Sequence, residues 1–155
     1  MIQAKVVLTQ ALGNHRQFVA ETGTGHHLLL DDAAGGTGAK PIELVAVALA
    51  GCTAFDVINI LRKKRQRVTG YEVRIEAEQV QEPPQVFSRV RIRHSIRGCA
   101  IDPAAVESAI RLSEEKYCSV GAMVSKTADF ETTYEIIGED AAETAPADTL
   151  VEAHA

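Results

Sequence analysis

Residues 41–66 read PIELVAVALAGCTAFDVINILRKKRQ, and this stretch decides the fold. Pro41 suits the first turn of a helix, where the missing N–H has no intrahelical acceptor to lose. Fifteen of the twenty residues from Ile42 to Leu61 are apolar, so a helix here needs cover on nearly every side. Its length approaches that of a bilayer span. Glu43, Asp56 and Asn59 interrupt it, however, Arg62-Lys63-Lys64-Arg65 closes it, and no second such run follows. We therefore read it as the buried central helix of a soluble protein, with no membrane partner.

Three short strands are predicted ahead of the helix, Ile2–Thr9, Arg16–Glu21 and His26–Leu30, separated by turn sequences at Gly13-Asn14 and Gly23-Thr24-Gly25. The run DDAAGGTGAK, Asp31 to Lys40, is not a phosphate-binding loop. Lys40 follows Ala39, not glycine, and Pro41 stands where a hydroxyl should be, so an ordinary flexible loop is expected. Beyond the helix, Tyr71–Gln79 and Val86–Arg97 alternate with period two. Glu72, Arg74, Glu76 and Glu78 share one face of the first; Arg89, Arg91, Arg93 and Arg97 share one face of the second. The connector Glu82-Pro83-Pro84-Gln85 suggests an antiparallel pair in which the arginines meet the glutamates across the strands. Asp102-Pro103 opens a second helix, with Val106, Ala109, Ile110 and Tyr117 at helical spacing, running to about Lys116. A last strand, Asp129–Ile137, completes an α+β order β-β-β-α-β-β-α-β, with sheets wrapped around the apolar helix.

The chain has 155 residues, the size of one domain, and a formal net charge of -5. Glu139, Asp140, Glu143, Asp148 and Glu152 lie in the last stretch with no Lys or Arg, so the body, residues 1–138, is neutral. A neutral body argues against nucleic acid as a partner. The Ala-rich acidic tail, 139–155, has too little apolar surface to offset its ordering entropy and is expected to be disordered. Three cysteines, and a start that runs straight into alternating sequence, suggest a reducing, cytoplasmic setting.

Taken singly, Cys52, Cys99 and Cys118 each read as inert structural cysteines, Cys99 in a loop after a strand. Cys52, Asp56, Asn59 and Lys63 nonetheless form one polar stripe on an oily helix, which is either a hydrogen-bonded seam or the floor of a site. A helix break at Gly51 would place Cys52 at a fresh helix N-terminus, which favours a thiolate; Asp56 opposes this, and a cation such as Arg16 would be needed. His26 and His27 are adjacent, and His15 and His94 have no ligand spacing around them. Without CxxC or HxxxH, neither a metal nor another cofactor is predicted.

The run from Pro41 to Gln66, the long strands and LSEEKYCSV (residues 112–120) together resemble the OsmC/Ohr superfamily, and within it the YhfA-like branch. The resemblance implies an intertwined α+β homodimer that reduces organic hydroperoxides. It assigns Cys52 as the attacking thiol and Cys118 as the resolving one, joined by a disulfide that an external dithiol reduces. It further implies an arginine and a glutamate beside the reactive sulfur. Arg16 falls in the right region, whereas the family's glutamate position lands on Ile42 and Glu43 is displaced by one. Glu43 could serve the thiol if the helix breaks near Gly51, or through the partner subunit. Two alternatives keep the fold without the turnover: a non-enzymatic binding protein and a thiol redox sensor.

Overall fold

The computed structural model describes residues 1–12, 15–32 and 36–139. It holds two compact units, Met1–Ala48 and Leu49–Ala155, each described by itself. The acidic tail from Asp140 onward, and the predicted turn at Gly13-Asn14, lie outside the described residues.

The first unit is a sheet of β1 (Ala4–Leu12), β2 (His15–Thr22) and β3 (His27–Asp31), antiparallel in that order. Register pairs Leu8 with Phe18 and Phe18 with Leu30, one residue along from Val7, Val19 and Leu29. Successive residues face opposite sides, so both faces of this sheet are apolar. Val6, Val7, Leu8 and Leu28 are all exposed. The glycine-rich run is more ordered at its end than the expected flexible loop. Ala39 pairs with β3, and the buried Asp31 carboxylate accepts from the Thr37 N–H at 3.0 Å and from its hydroxyl.

Helix α1 (Pro41–Lys63) runs unbroken through Gly51. Only the stripe Leu49, Thr53, Val57 and Leu61 is buried, while Val47 and Phe55 are exposed. The expected cover on nearly every side is therefore not supplied by one chain. By length and composition alone α1 could cross a membrane. Its charged interruptions and its buried stripe fit a core helix better.

The second unit has a sheet of β4 (Arg67–Gln79), β5 (Phe87–Cys99) and β6 (Asp129–Gly138), with β4 antiparallel and β6 parallel to the central β5. A parallel neighbour needs a crossover. The chain supplies α2 (Pro103–Leu112), a π-helical turn (Ser113–Tyr117) and a short α3 (Ser119–Val124). Asp102 caps α2 as read, accepting from the Ala104 N–H at 3.0 Å. α2 ends earlier than expected, and α3 was not foreseen. Cys99 is the last residue of β5, not part of a loop. A register shift between Glu78 and Gln79 turns Phe87 onto the inner face of β5, where Val90, Ile92 and Ile96 are buried. Val57, Leu61, Ile96, Val106 and Ala109 form the heart of this unit's core.

On the outer face, the expected pairing of arginines with carboxylates holds at one end of the β5 row. Arg89 and Arg91 face acidic residues of both neighbours, whereas Arg93 stands opposite Arg74 and Thr133, and Arg97 opposite Gly70 and Ile137. Arg91 bridges Glu78 at 3.1 Å and Glu131 at 3.4 Å, pairs exposed enough to contribute little stability. Gly98 permits the close approach of β4: a Cβ there would lie 2.2 Å from the Arg67 carbonyl oxygen.

His94 is the polar exception on the inner face, with 0% of its surface exposed. Its Nδ1 lies 2.6 Å from the Tyr71 hydroxyl, and the two rings stack, but Nε2 has no hydrogen-bond partner among the described residues. Burial lowers its pKa to about 4. Between pH 6.5 and 4 the unfolded chain therefore binds a proton that the fold refuses, and stability drops as pH falls through that window. The shift corresponds to roughly 3 kcal/mol. Urea unfolding at pH 7 and pH 4 measures it: the native protein should lose more stability on acidification than His94→Gln. Equal losses would show that His94 is not the acid-sensitive group.

Candidate functional site

Residues four apart on a helix share a face, so Cys52 and Asp56 stack on α1 one turn apart. The buried Thr53 lies beside them on the face that carries Leu49 and Val57. α2 brings the second half of the site. Where it ends, the chain widens into the π turn, closed by the Cys118 N–H donating to the Ser113 carbonyl at 2.8 Å. The turn leaves Ser113 pointing inward, fully buried. Its hydroxyl donates to Asp56 Oδ2 at 3.2 Å and lies 3.1 Å from Thr53 Oγ1.

Cys118 then adopts an extended conformation and caps α3, its Sγ accepting from the Gly121 N–H at 3.2 Å. Gly121 suits this approach, since a Cβ there would stand 3.1 Å from the sulfur and press it aside. The result is a compact cluster. The two sulfurs and an Asp56 oxygen all lie within 4.8 Å of one another, with Cys118 buried and Cys52 and Asp56 half-buried. Burial pushes the Cys118 thiol up to about 12; contact with Cys52 adds to the rise and the Gly121 N–H opposes it. Cys118 is thus a protonated, sheltered thiol at neutral pH, and Cys52 is the more open of the pair. Two thiols and a carboxylate could also hold a soft cation.

The polar stripe read from the sequence divides here. Cys52 and Asp56 enter the cluster, whereas Asn59 and Lys63 are exposed. Because α1 does not break at Gly51, Cys52 sits inside a helix, and the cysteine at a helix N-terminus is Cys118. Ser113 and Thr53 were not singled out in the sequence, where a serine before two glutamates carries no signal.

Arg16 and Glu43 belong to the first unit. The Arg16 N–H donates to Asp32 Oδ2 at 2.8 Å, and Arg16 borders a cavity of about 610 Å3 walled by Val6, Phe18 and Leu30. Glu43, in the first turn of α1, reaches back to accept from the Lys40 N–H at 2.9 Å, which is half of a capping box. That gives Glu43 a structural task at the helix start.

A family model described as OsmC-like protein matches residues 34–133. Protein YhfA of Escherichia coli strain K12 is 36% identical over 136 residues, covering 88% of this chain and 98% of that protein. Among solved structures, a hypothetical protein from Aquifex aeolicus VF5 superposes with a TM-score of 0.76 at 28% identity, covering 90% of this chain and 100% of that one. An organic hydroperoxide resistance protein from Elizabethkingia anophelis superposes with a TM-score of 0.65 at 14% identity, covering 88% and 96%, a likeness of fold. With the family model spanning both cysteines and the YhfA match running nearly end to end, the chain belongs to the OsmC-like family.

Proposed function

We propose that this protein is a thiol-dependent peroxidase acting on organic hydroperoxides. One observation carries the reading: the Cys52 and Cys118 sulfurs lie within 4.8 Å of each other, the former half-buried and the latter buried. The Cys52 thiolate attacks the O–O bond, which breaks to leave a Cys52 sulfenic acid and, after protonation, an alcohol. The Cys118 sulfur then attacks the sulfenic sulfur. A disulfide forms, and the thiol proton leaves with the hydroxyl as water. An external dithiol reduces the bridge by exchange and is itself oxidised. Fold neighbours that carry organic hydroperoxide resistance in their names support the substrate class. Arg16 and Glu43 enter this reading as candidates for the cation and the carboxylate beside the reactive sulfur, Glu43 standing one place from the position that the family resemblance points to.

The reading includes a homodimer. Val47 and Phe55 on α1, and Val6 and Leu8 on β1, expose large apolar side chains in the single chain, and a second copy is the occupant the family resemblance supplies. A second functional reading, a binder of apolar ligands without turnover, draws on the cavity bordered by Arg16, Val6, Phe18 and Leu30.

Kinetics separate the two. Cys52→Ser should bring consumption of an organic hydroperoxide down to the uncatalysed rate, and Cys118→Ser should consume about one equivalent and stop as a sulfenic acid. Stopped-flow oxidation of Cys52 no faster than that of a free cysteine would leave only the binder. Light scattering should give a mass twice the chain's 16.7 kDa, shifting toward one copy in Phe55→Glu. A native protein of single-chain mass would contradict the dimer.

A further inference from the structure

One thiol of the cluster and its carboxylate are already held in the manner of metal ligands. The Gly121 N–H points at the Cys118 sulfur, the kind of bond that supports a coordinating thiolate. The Ser113 hydroxyl fixes one oxygen of Asp56, and Thr53 backs it from a buried position. The donors come from α1 and from the segment after the π turn, so they share no short sequence spacing. A search for CxxC or HxxxH passes over such a set.

We propose that Cys52, Asp56 and Cys118 form a binding site for a thiophilic divalent cation, zinc in the first place, with the fourth position left to solvent. Tetrahedral zinc with bonds of about 2.3 Å to sulfur holds its two sulfurs roughly 3.8 Å apart. The two sulfurs already lie within 4.8 Å of each other, close to that separation. Two thiolates favour zinc, cadmium or cobalt and disfavour magnesium and calcium, which require oxygen donors. Binding is balanced by release of the two thiol protons to solvent; no electron moves. Metal and disulfide exclude each other, because the bridged sulfurs have no charge to donate. In combination with the peroxidase reading, zinc blocks turnover and oxidation expels zinc. The binding itself does not depend on that reading.

Cobalt(II) serves as the spectroscopic probe on the full-length reduced protein without air, followed by displacement with zinc. We expect one cobalt per chain, with thiolate-to-cobalt charge-transfer absorption. That absorption should vanish in Cys52→Ser, in Cys118→Ser and in the disulfide form, and persist in Cys99→Ser. In Asp56→Asn, zinc affinity measured against a chromophoric chelator should fall at least tenfold with stoichiometry retained. Circular dichroism shows that each variant is folded. Absence of a thiolate–cobalt band in the folded native protein overturns the site, as does a band that survives Cys118→Ser or an Asp56→Asn affinity equal to native. Peroxide turnover by metal-free protein is read separately, so failure of the metal site leaves the peroxidase reading untouched, and the reverse also holds.

Discussion

The buried hydrogen bonds of Ser113 are the joint on which the second unit's site depends. Thr53 and Ser113 are polar groups in an apolar interior, and each would be unfavourable by about 1–3 kcal/mol without a partner. They satisfy each other and Asp56, and in doing so tie the end of α2 to the middle of α1. The π turn follows from the same residue, since it is closed on the Ser113 carbonyl. It sets where Cys118 leaves the helical path and therefore where its sulfur lies. A regular α-helix continued to Lys116 would carry Cys118 past Cys52 on a different phase.

The apolar surplus raises a different requirement. α1 buries a single stripe, and the first sheet is apolar on both faces, so a single chain exposes side chains such as Phe55, Val47 and Val6 that water disfavours. The same surplus made the segment resemble a membrane span. Composition alone cannot distinguish a helix covered by lipid from one covered by protein. The charged residues within and after it, Asp56 above all, make the distinction, because Asp56 has a hydroxyl partner inside the unit.

Much of the fold was legible in the sequence because its signals are local. The alternation in β4 and β5 follows directly from the pleat, and Asp102-Pro103 is a cap that acts within one turn. The element order, apart from the π turn and α3, follows from the same kind of evidence. What escaped was set by tertiary contact. The register shift that turns Phe87 inward leaves no mark on the alternation, and α3 is too short to have a period of its own. Cys52 and Asp56 were legible as a stripe, but their meeting with Cys118 required the crossover between β5 and β6. Of the two options at Gly51, a continuous helix or a break, the helix continues: glycine is tolerated inside an otherwise strong helix, and the N-terminal thiol is Cys118. Glu43 shows the reverse, a residue singled out for chemistry whose carboxylate has a structural use at Lys40.

The central claim is that two thiols remote in sequence form one redox unit. Non-reducing peptide mapping by mass spectrometry, after one equivalent of an organic hydroperoxide, tests it most directly. The account predicts a Cys52 peptide linked to a Cys118 peptide within the same chain, two hydrogens lighter than the reduced pair, with Cys99 free. A Cys52 oxidised onward to sulfinic acid beside an unmodified Cys118, or bridges that run through Cys99, would contradict it.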